Sequence, residues 1–153
     1  MPKLAVGDRA PDFTLPAQTG ETIALDAVRA ASNVVLIFYP KDQTPGCTKQ
    51  LCAARDDTAA YDAAGVRVFG INGDTVASHE RFVAKHGLTM PLLVDRGLTV
   101  AQAYDAVLAL GPLKVVNRTV VAIDRTGTIV FYERGIPATT AILAAFRPPA
   151  EPV

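Results

Sequence analysis

No uninterrupted apolar run in the chain exceeds six residues, the length reached by Val34-Val35-Leu36-Ile37-Phe38-Tyr39, whereas a bilayer-spanning helix needs about twenty. A transmembrane helix is excluded. Charge of one sign is equally lacking, because fifteen Lys and Arg offset fifteen Asp and Glu. No summed field draws the chain to nucleic acid or to an anionic membrane, and neither is assigned as a partner. Cysteine is scarce: Cys47 and Cys52 are too few for a four-cysteine zinc site and are not spaced as CxxC. The two histidines, His79 and His86, lie on one face of a predicted helix; they are expected to be solvated, and no metal is assigned. Gly70-Ile71-Asn72-Gly73 lacks the third glycine and the lysine of phosphate-binding loops and reads as a turn. The opening Met1-Pro2-Lys3-Leu4-Ala5-Val6-Gly7-Asp8 lacks the apolar segment of a secretory signal. The expected location is therefore a reducing cytoplasm, where both sulfurs start as thiols.

What is present is enough for one core. The 153 residues are half hydrophobic, with eleven Gly and eleven Pro scattered rather than clustered, and a chain of this size buries roughly 70% of its extended surface. Residues 1–147 are expected to form a single domain, and 148–153, with three prolines, a loose tail. Residues 34–39 are continuously apolar and β-branched or aromatic, the pattern of a central strand covered on both faces. Pro40 ends it, and Pro45 and Gly46 keep the next segment a loop. A helix is predicted from near Cys47 to about Tyr61, with Gly65 beyond its end. Further strands are predicted over 66–71 and 91–95. A helix capped by Asp74 or Ser78 runs to Lys85 and His86, with Gly87 as terminator, and a short helix spans 99–104. Residues 119–123 and 128–132 flank Asp124-Arg125-Thr126-Gly127 and read as an antiparallel hairpin. A last helix spans 139–146. The order describes an α/β domain with a central mixed β-sheet flanked by helices.

The cysteine segment carries the chemistry. A cysteine in the first turn of a helix meets unpaired backbone amides and the positive end of the helix dipole, both of which favour thiolate. An ordinary thiol, with pKa near ~8.5, is only a few per cent ionised at neutral pH. Lowering such a value by two units takes about 2.7 kcal/mol, whereas a helix terminus supplies about 0.3–1 kcal/mol and at best about 2. A cation must contribute the rest, and an arginine is the obvious candidate. Cys52 lies five residues on, about 7.5 Å along a helix axis and roughly 140° around it. The two sulfurs then point apart, and a disulfide closes only if the helix locally unwinds. This spacing suits a bond that forms and breaks. It is equally compatible with two buried, inert cysteines packed as small apolar residues.

The segment Pro40-Lys41-Asp42-Gln43-Thr44-Pro45-Gly46-Cys47-Thr48-Lys49-Gln50-Leu51-Cys52 resembles the active-site segment of peroxiredoxins, P-x-x-x-[T/S]-x-x-C. The second cysteine five residues later and the compact length are similar to the bacterioferritin-comigratory-protein, or peroxiredoxin Q, class. Gly7-Asp8-Arg9-Ala10-Pro11-Asp12-Phe13, Ser78-His79-Glu80-Arg81-Phe82 and Asn117-Arg118-Thr119 extend the resemblance over nearly the whole chain.

The resemblance implies a thioredoxin-like fold and a thiol peroxidase acting on hydrogen peroxide and alkyl hydroperoxides, with no cofactor and with thioredoxin or a similar dithiol protein as reductant. It implies that Cys47 is the peroxidatic cysteine, Cys52 the resolving one, Thr44 a hydroxyl that holds peroxide and thiolate, Pro40 a shield over the site, and Arg118 the cation. Gln50 stands where the family commonly has Glu. The expected association is a monomer or weak homodimer. The competing readings are a general thiol-disulfide reductase or redox sensor without fast peroxide turnover, and a non-catalytic binding module with inert cysteines.

Overall fold

The computed structural model describes residues 4–146, so the expected tail at 148–153 lies outside the described residues. The central strand is β3 (Asn33–Phe38). It pairs in parallel with β4 (Val66–Asn72), which pairs in parallel with β5 (Leu92–Val94). On its other side β3 pairs antiparallel with β8 (Thr119–Ile123), and β8 with β9 (Ile129–Arg134). The resulting five-stranded mixed sheet has the order β5-β4-β3-β8-β9.

Alternation along β3 sends Val34, Leu36 and Phe38 into one apolar cluster with Phe69, Ile71, Val121 and Tyr104. Val35 and Ile37, with Tyr39 just beyond the strand, enter the other, with Leu51, Phe82, Val120 and Ile142. Residues 34–39 are at most 2% exposed. This is why the strand reads as an unbroken apolar run rather than an alternating one.

Helix α2 (Pro45–Asp56) covers the second face, and α3 (Thr58–Ala63) follows it. A single helix from Cys47 to Tyr61 was predicted; the structure breaks it at Asp57. The Thr58 hydroxyl donates to the Arg55 carbonyl at 2.6 Å, and the Asp57 carboxylate accepts from Thr139 at 2.5 Å. The first is a local bond that competes with the helical ladder; the second ties the break to a residue 82 positions away. Helix α4 (Val76–His86) ends at Gly87 in the left-handed region as predicted, but its cap is Thr75, whose hydroxyl accepts from Ser78 N–H, rather than Asp74 or Ser78.

The short helix α5 (Thr99–Ala103) and the last helix α6 (Thr139–Ala144) lie where predicted, slightly trimmed. Several elements were not predicted: β1 (Thr14–Pro16), β2 (Thr22–Ala24), α1 (Leu25–Ala31), and the hairpin of β6 (Val107–Leu110) and β7 (Leu113–Val116). The strands among them have three or four residues, too short for a period to register. Among the described residues no helix is long and apolar enough to cross a membrane.

Gly70 sets how closely α2 sits on the sheet. A Cβ there would fall 2.7 Å from Leu92, 3.0 Å from the Tyr39 ring and 3.3 Å from Leu51 of α2. Gly70→Ala is expected to destabilise the fold by about 1–3 kcal/mol through overpacking, read as a lower urea midpoint with unchanged slope. An unchanged midpoint would show that α2 has room to shift.

Candidate active site

The chain leaves β3 at Phe38, and Pro40 removes the next ladder donor. Thr44 adopts an extended conformation (ψ 152°) before α2, and Pro45 occupies the first helical turn, where its fixed φ and missing N–H cost nothing. Cys47 therefore enters in the first turn, where the helix amides are unpaired.

The cation comes from far away in sequence. Phe38, at the end of β3, lies opposite Thr119, at the start of β8, so antiparallel pairing brings Arg118 to the end of the sheet from which the cysteine loop departs. Its Nη2 donates to the Cys47 sulfur at 3.2 Å, across 71 residues of sequence. Gly46 makes room, since a Cβ there would stand 3.2 Å from the same nitrogen. Nη1 donates to Gln50 Oε1 at 2.7 Å, and Gln50 Nε2 donates to the Gly135 carbonyl at 3.4 Å. Gly135 N–H in turn donates to the Arg118 carbonyl at 3.0 Å.

Gln50, 4% exposed, thus uses both ends of its amide, one as acceptor and one as donor. Among the described residues Arg118 makes no ion pair with a carboxylate. Its charge faces the sulfur without an acidic neighbour in contact.

Both cysteines are free thiols. Cys52 is half-buried and lies in the same uninterrupted helix as Cys47. Cys47 has no exposed surface. Thr44 occupies the N-cap position of α2, but its side chain makes no cap bond; its hydroxyl donates to the Lys41 carbonyl at 2.9 Å. Pro40 is exposed at the start of the loop. The structure therefore joins Arg118, Gln50 and Cys47 through direct contacts, with Thr44 and Pro40 on the adjoining loop.

The prediction for His79 fails. It is fully buried rather than solvated, with Nδ1 2.5 Å from Asp42 Oδ2 and Nε2 3.0 Å from the Leu93 carbonyl. A carbonyl only accepts, so Nε2 carries a hydrogen. Asp42 also accepts from Tyr39 at 2.5 Å, Ser78 at 2.8 Å and Asn72 at 3.2 Å. The signal was available: His79 and Phe82, three residues apart, are the buried residues of α4, and that spacing marks one helix face. No group of three or more metal-ligating side chains forms among the described residues.

Residues 6–132 match the model of the AhpC/TSA family. The chain belongs to that family. Within it, the chain is a peroxiredoxin of the Bcp/peroxiredoxin Q class, a peroxidase among the oxidoreductases. The putative peroxiredoxin bcp of Coxiella burnetii is 41% identical over 130 residues, covering 82% of this chain and 85% of that one. The chloroplastic peroxiredoxin Q of Triticum aestivum is likewise 41% identical over 130 residues, covering 84% of this chain, but this peroxiredoxin spans only 58% of the wheat protein. Among solved structures, the peroxidoxin BcpB of Mycobacterium tuberculosis superposes with a TM-score of 0.85 at 31% identity, covering 94% of this chain and 98% of that one. The fold is thus the thioredoxin-like fold of peroxiredoxins.

Burial alone would push the Asp42 carboxyl up, but hydrogen bonds from His79 and then Tyr39 outweigh it and hold it below its ordinary value of 3.8. A carboxyl depressed in the folded state contributes stability that is complete above the unfolded value and lost as pH falls through the folded one. On acidification below pH 3.8 the parent's urea midpoint should therefore fall more steeply than that of Asp42→Asn. Parallel acid profiles would show that Asp42 gains nothing from its partners.

Proposed function

We propose that the chain reduces hydrogen peroxide and alkyl hydroperoxides through a Cys47 sulfenic acid that Cys52 resolves. The observation that carries this reading is the Arg118 guanidinium 3.2 Å from a sulfur in the first turn of a helix. A cation and unpaired amides converge there on one thiol, and together they favour its nucleophilic, ionised form.

The Cys47 thiolate attacks one peroxide oxygen. The O–O bond breaks, and the departing oxygen takes a proton and leaves as water or alcohol, with Cys47 as sulfenic acid. Charge moves onto the leaving oxygen, so Arg118 and the unpaired amides of α2 bind the transition state more strongly than the ground state, while Thr44 Oγ, whose hydrogen goes to the Lys41 carbonyl, accepts from the peroxide O–H and holds it in place. Cys47 has no exposed surface, and Pro40, on the loop that leads into α2, shields the thiolate from water.

Cys52 then attacks the sulfenic sulfur, water leaves, and an internal disulfide forms. With both residues inside α2, about 7.5 Å apart along the axis, the first turns must unwind before this step. A dithiol protein such as thioredoxin exchanges with the disulfide and restores both thiols. The bacterioferritin comigratory protein of Xanthomonas campestris, 28% identical with a TM-score of 0.79, has alkyl peroxide reduction activity, which supports organic hydroperoxides as substrates. A cytoplasmic location agrees with reduced cysteines. Cys47, Cys52, Thr44, Arg118 and Pro40 are the residues to which roles are assigned.

The test is stopped-flow oxidation beside a thioredoxin-coupled assay. Cys47→Ser is expected to abolish turnover. Cys52→Ser should keep the first oxidation, accumulate sulfenic acid and stop coupled turnover. Arg118→Met should slow the peroxide step at least tenfold, equivalent to about 1.4 kcal/mol of transition-state stabilisation. A parent Cys47 that reacts with peroxide no faster than free cysteine would overturn the reading and leave a redox sensor or disulfide reductase. Undiminished turnover in Cys52→Ser would remove the resolving role alone.

A further inference from the structure

Between Pro40 and the start of α2, Asp42 is the one buried side chain, 6% exposed, while Pro40, Lys41 and Gln43 are exposed and Thr44 is half-buried. Nothing in peroxide chemistry as derived above uses it. Yet it is hydrogen-bonded to four side chains: Tyr39 just past β3, Asn72 of β4, and Ser78 and His79 of α4. Its backbone N–H donates to Asp74 Oδ2 at 2.7 Å, and Asp74 is tied to Asn72 by its own N–H at 2.9 Å. The loop is thus pinned through both the backbone and the side chain of one residue.

Two consequences reach the site. Lys41, next to the pin, offers the carbonyl that accepts the Thr44 hydroxyl at 2.9 Å, so fixing Asp42 fixes the acceptor that orients that hydroxyl. Gln43, between Asp42 and Thr44, sits at φ +62°, a left-handed conformation unusual for a residue with a side chain. Such a conformation persists where its surroundings over-determine it. The pin is on one side of Gln43 and the start of α2 on the other. Without His79 the buried carboxylate loses one of its two closest partners, each at 2.5 Å, and a buried carboxylate left short of a partner is costly to keep in place.

We propose that Asp42 and His79 are positioning residues for peroxide reduction, through which α4 holds the 40–46 loop and the Thr44 hydroxyl in register with Cys47. The inference rests on the roles given above to Cys47 and Thr44. It separates two properties of one sulfur. General nucleophilicity comes from Arg118 and the start of α2, neither of which bonds to the pin; peroxide-specific reactivity comes from the loop. A role confined to folding would lower stability and leave this ratio alone.

The experiment compares, for the full chain, the second-order rates of Cys47 with hydrogen peroxide and with iodoacetamide, all in a Cys52→Ser background. Asp42→Asn and His79→Gln are expected to lower the peroxide rate at least tenfold while the iodoacetamide rate stays within threefold. Ser78→Ala removes only one donor from Asp42 at the half-buried edge of the cluster. It should lower the peroxide rate at least twofold with alkylation unchanged, and it decides the matter if the other two variants do not fold. Unchanged peroxide rates would overturn the inference. So would a parallel fall of both rates, because the cluster would then support the whole site without distinguishing the oxidant. A Cys52→Ser parent no faster with peroxide than free cysteine would instead overturn the proposed function, and this inference with it.

Discussion

The contact between Arg118 and the Cys47 sulfur depends on sheet register more than on either residue. A strand pair that slips by one residue sends every side chain to the opposite face. With Phe38 opposite Thr119, the guanidinium reaches the site; one residue of slip would direct it away. The unbroken burial of residues 34–39, closed on both faces, holds that register. The most apolar part of the molecule thus positions its most polar contact.

Gln50 gives the same contact a particular electrostatic character. Its amide oxygen accepts from Arg118 while its nitrogen donates to the Gly135 carbonyl. A carboxylate in its place would pair with the guanidinium but set an oxygen against the Gly135 oxygen. The amide satisfies both neighbours and leaves the cation's charge directed at the sulfur. Gln50 therefore holds Arg118 by a hydrogen bond without neutralising it.

A second polar cluster is buried nearby at evident cost. A carboxylate and an imidazole removed from water are tolerated only when their hydrogen bonds are complete, and Asp42 and His79 meet that condition, with no buried side-chain N or O left unpartnered among the described residues. Burial first, and then the Asp42 carboxylate, push the Tyr39 hydroxyl well above its ordinary range, so it stays a neutral donor to that carboxylate. The loop before Cys47 is consequently rigid at Asp42, although the residues around it face solvent.

Much of this was legible in the chain itself. The central strand, the hairpin around Gly127 and the helix ending at Gly87 are local events, governed by apolar runs, turn residues and a left-handed stop. The cysteine pair and its Thr-Pro-Gly approach are contiguous, so the family could be read there. The short strands β1, β2, β6 and β7 were not readable, because three or four residues are too few to show a period. Nor was the division at Asp57, which depends on a Thr139 hydroxyl 82 residues away. His79 was misread because solvation is a matter of neighbours. By itself the sequence determined the place of Cys47 at a helix start and the strand beneath it, since each depends on residues adjacent in the chain. Only the tertiary structure decided that Arg118 meets Cys47, that Gln50 bridges to Gly135, and that Asp42 and His79 are sealed together, because those contacts join segments whose separation along the chain carries no information about their distance in space.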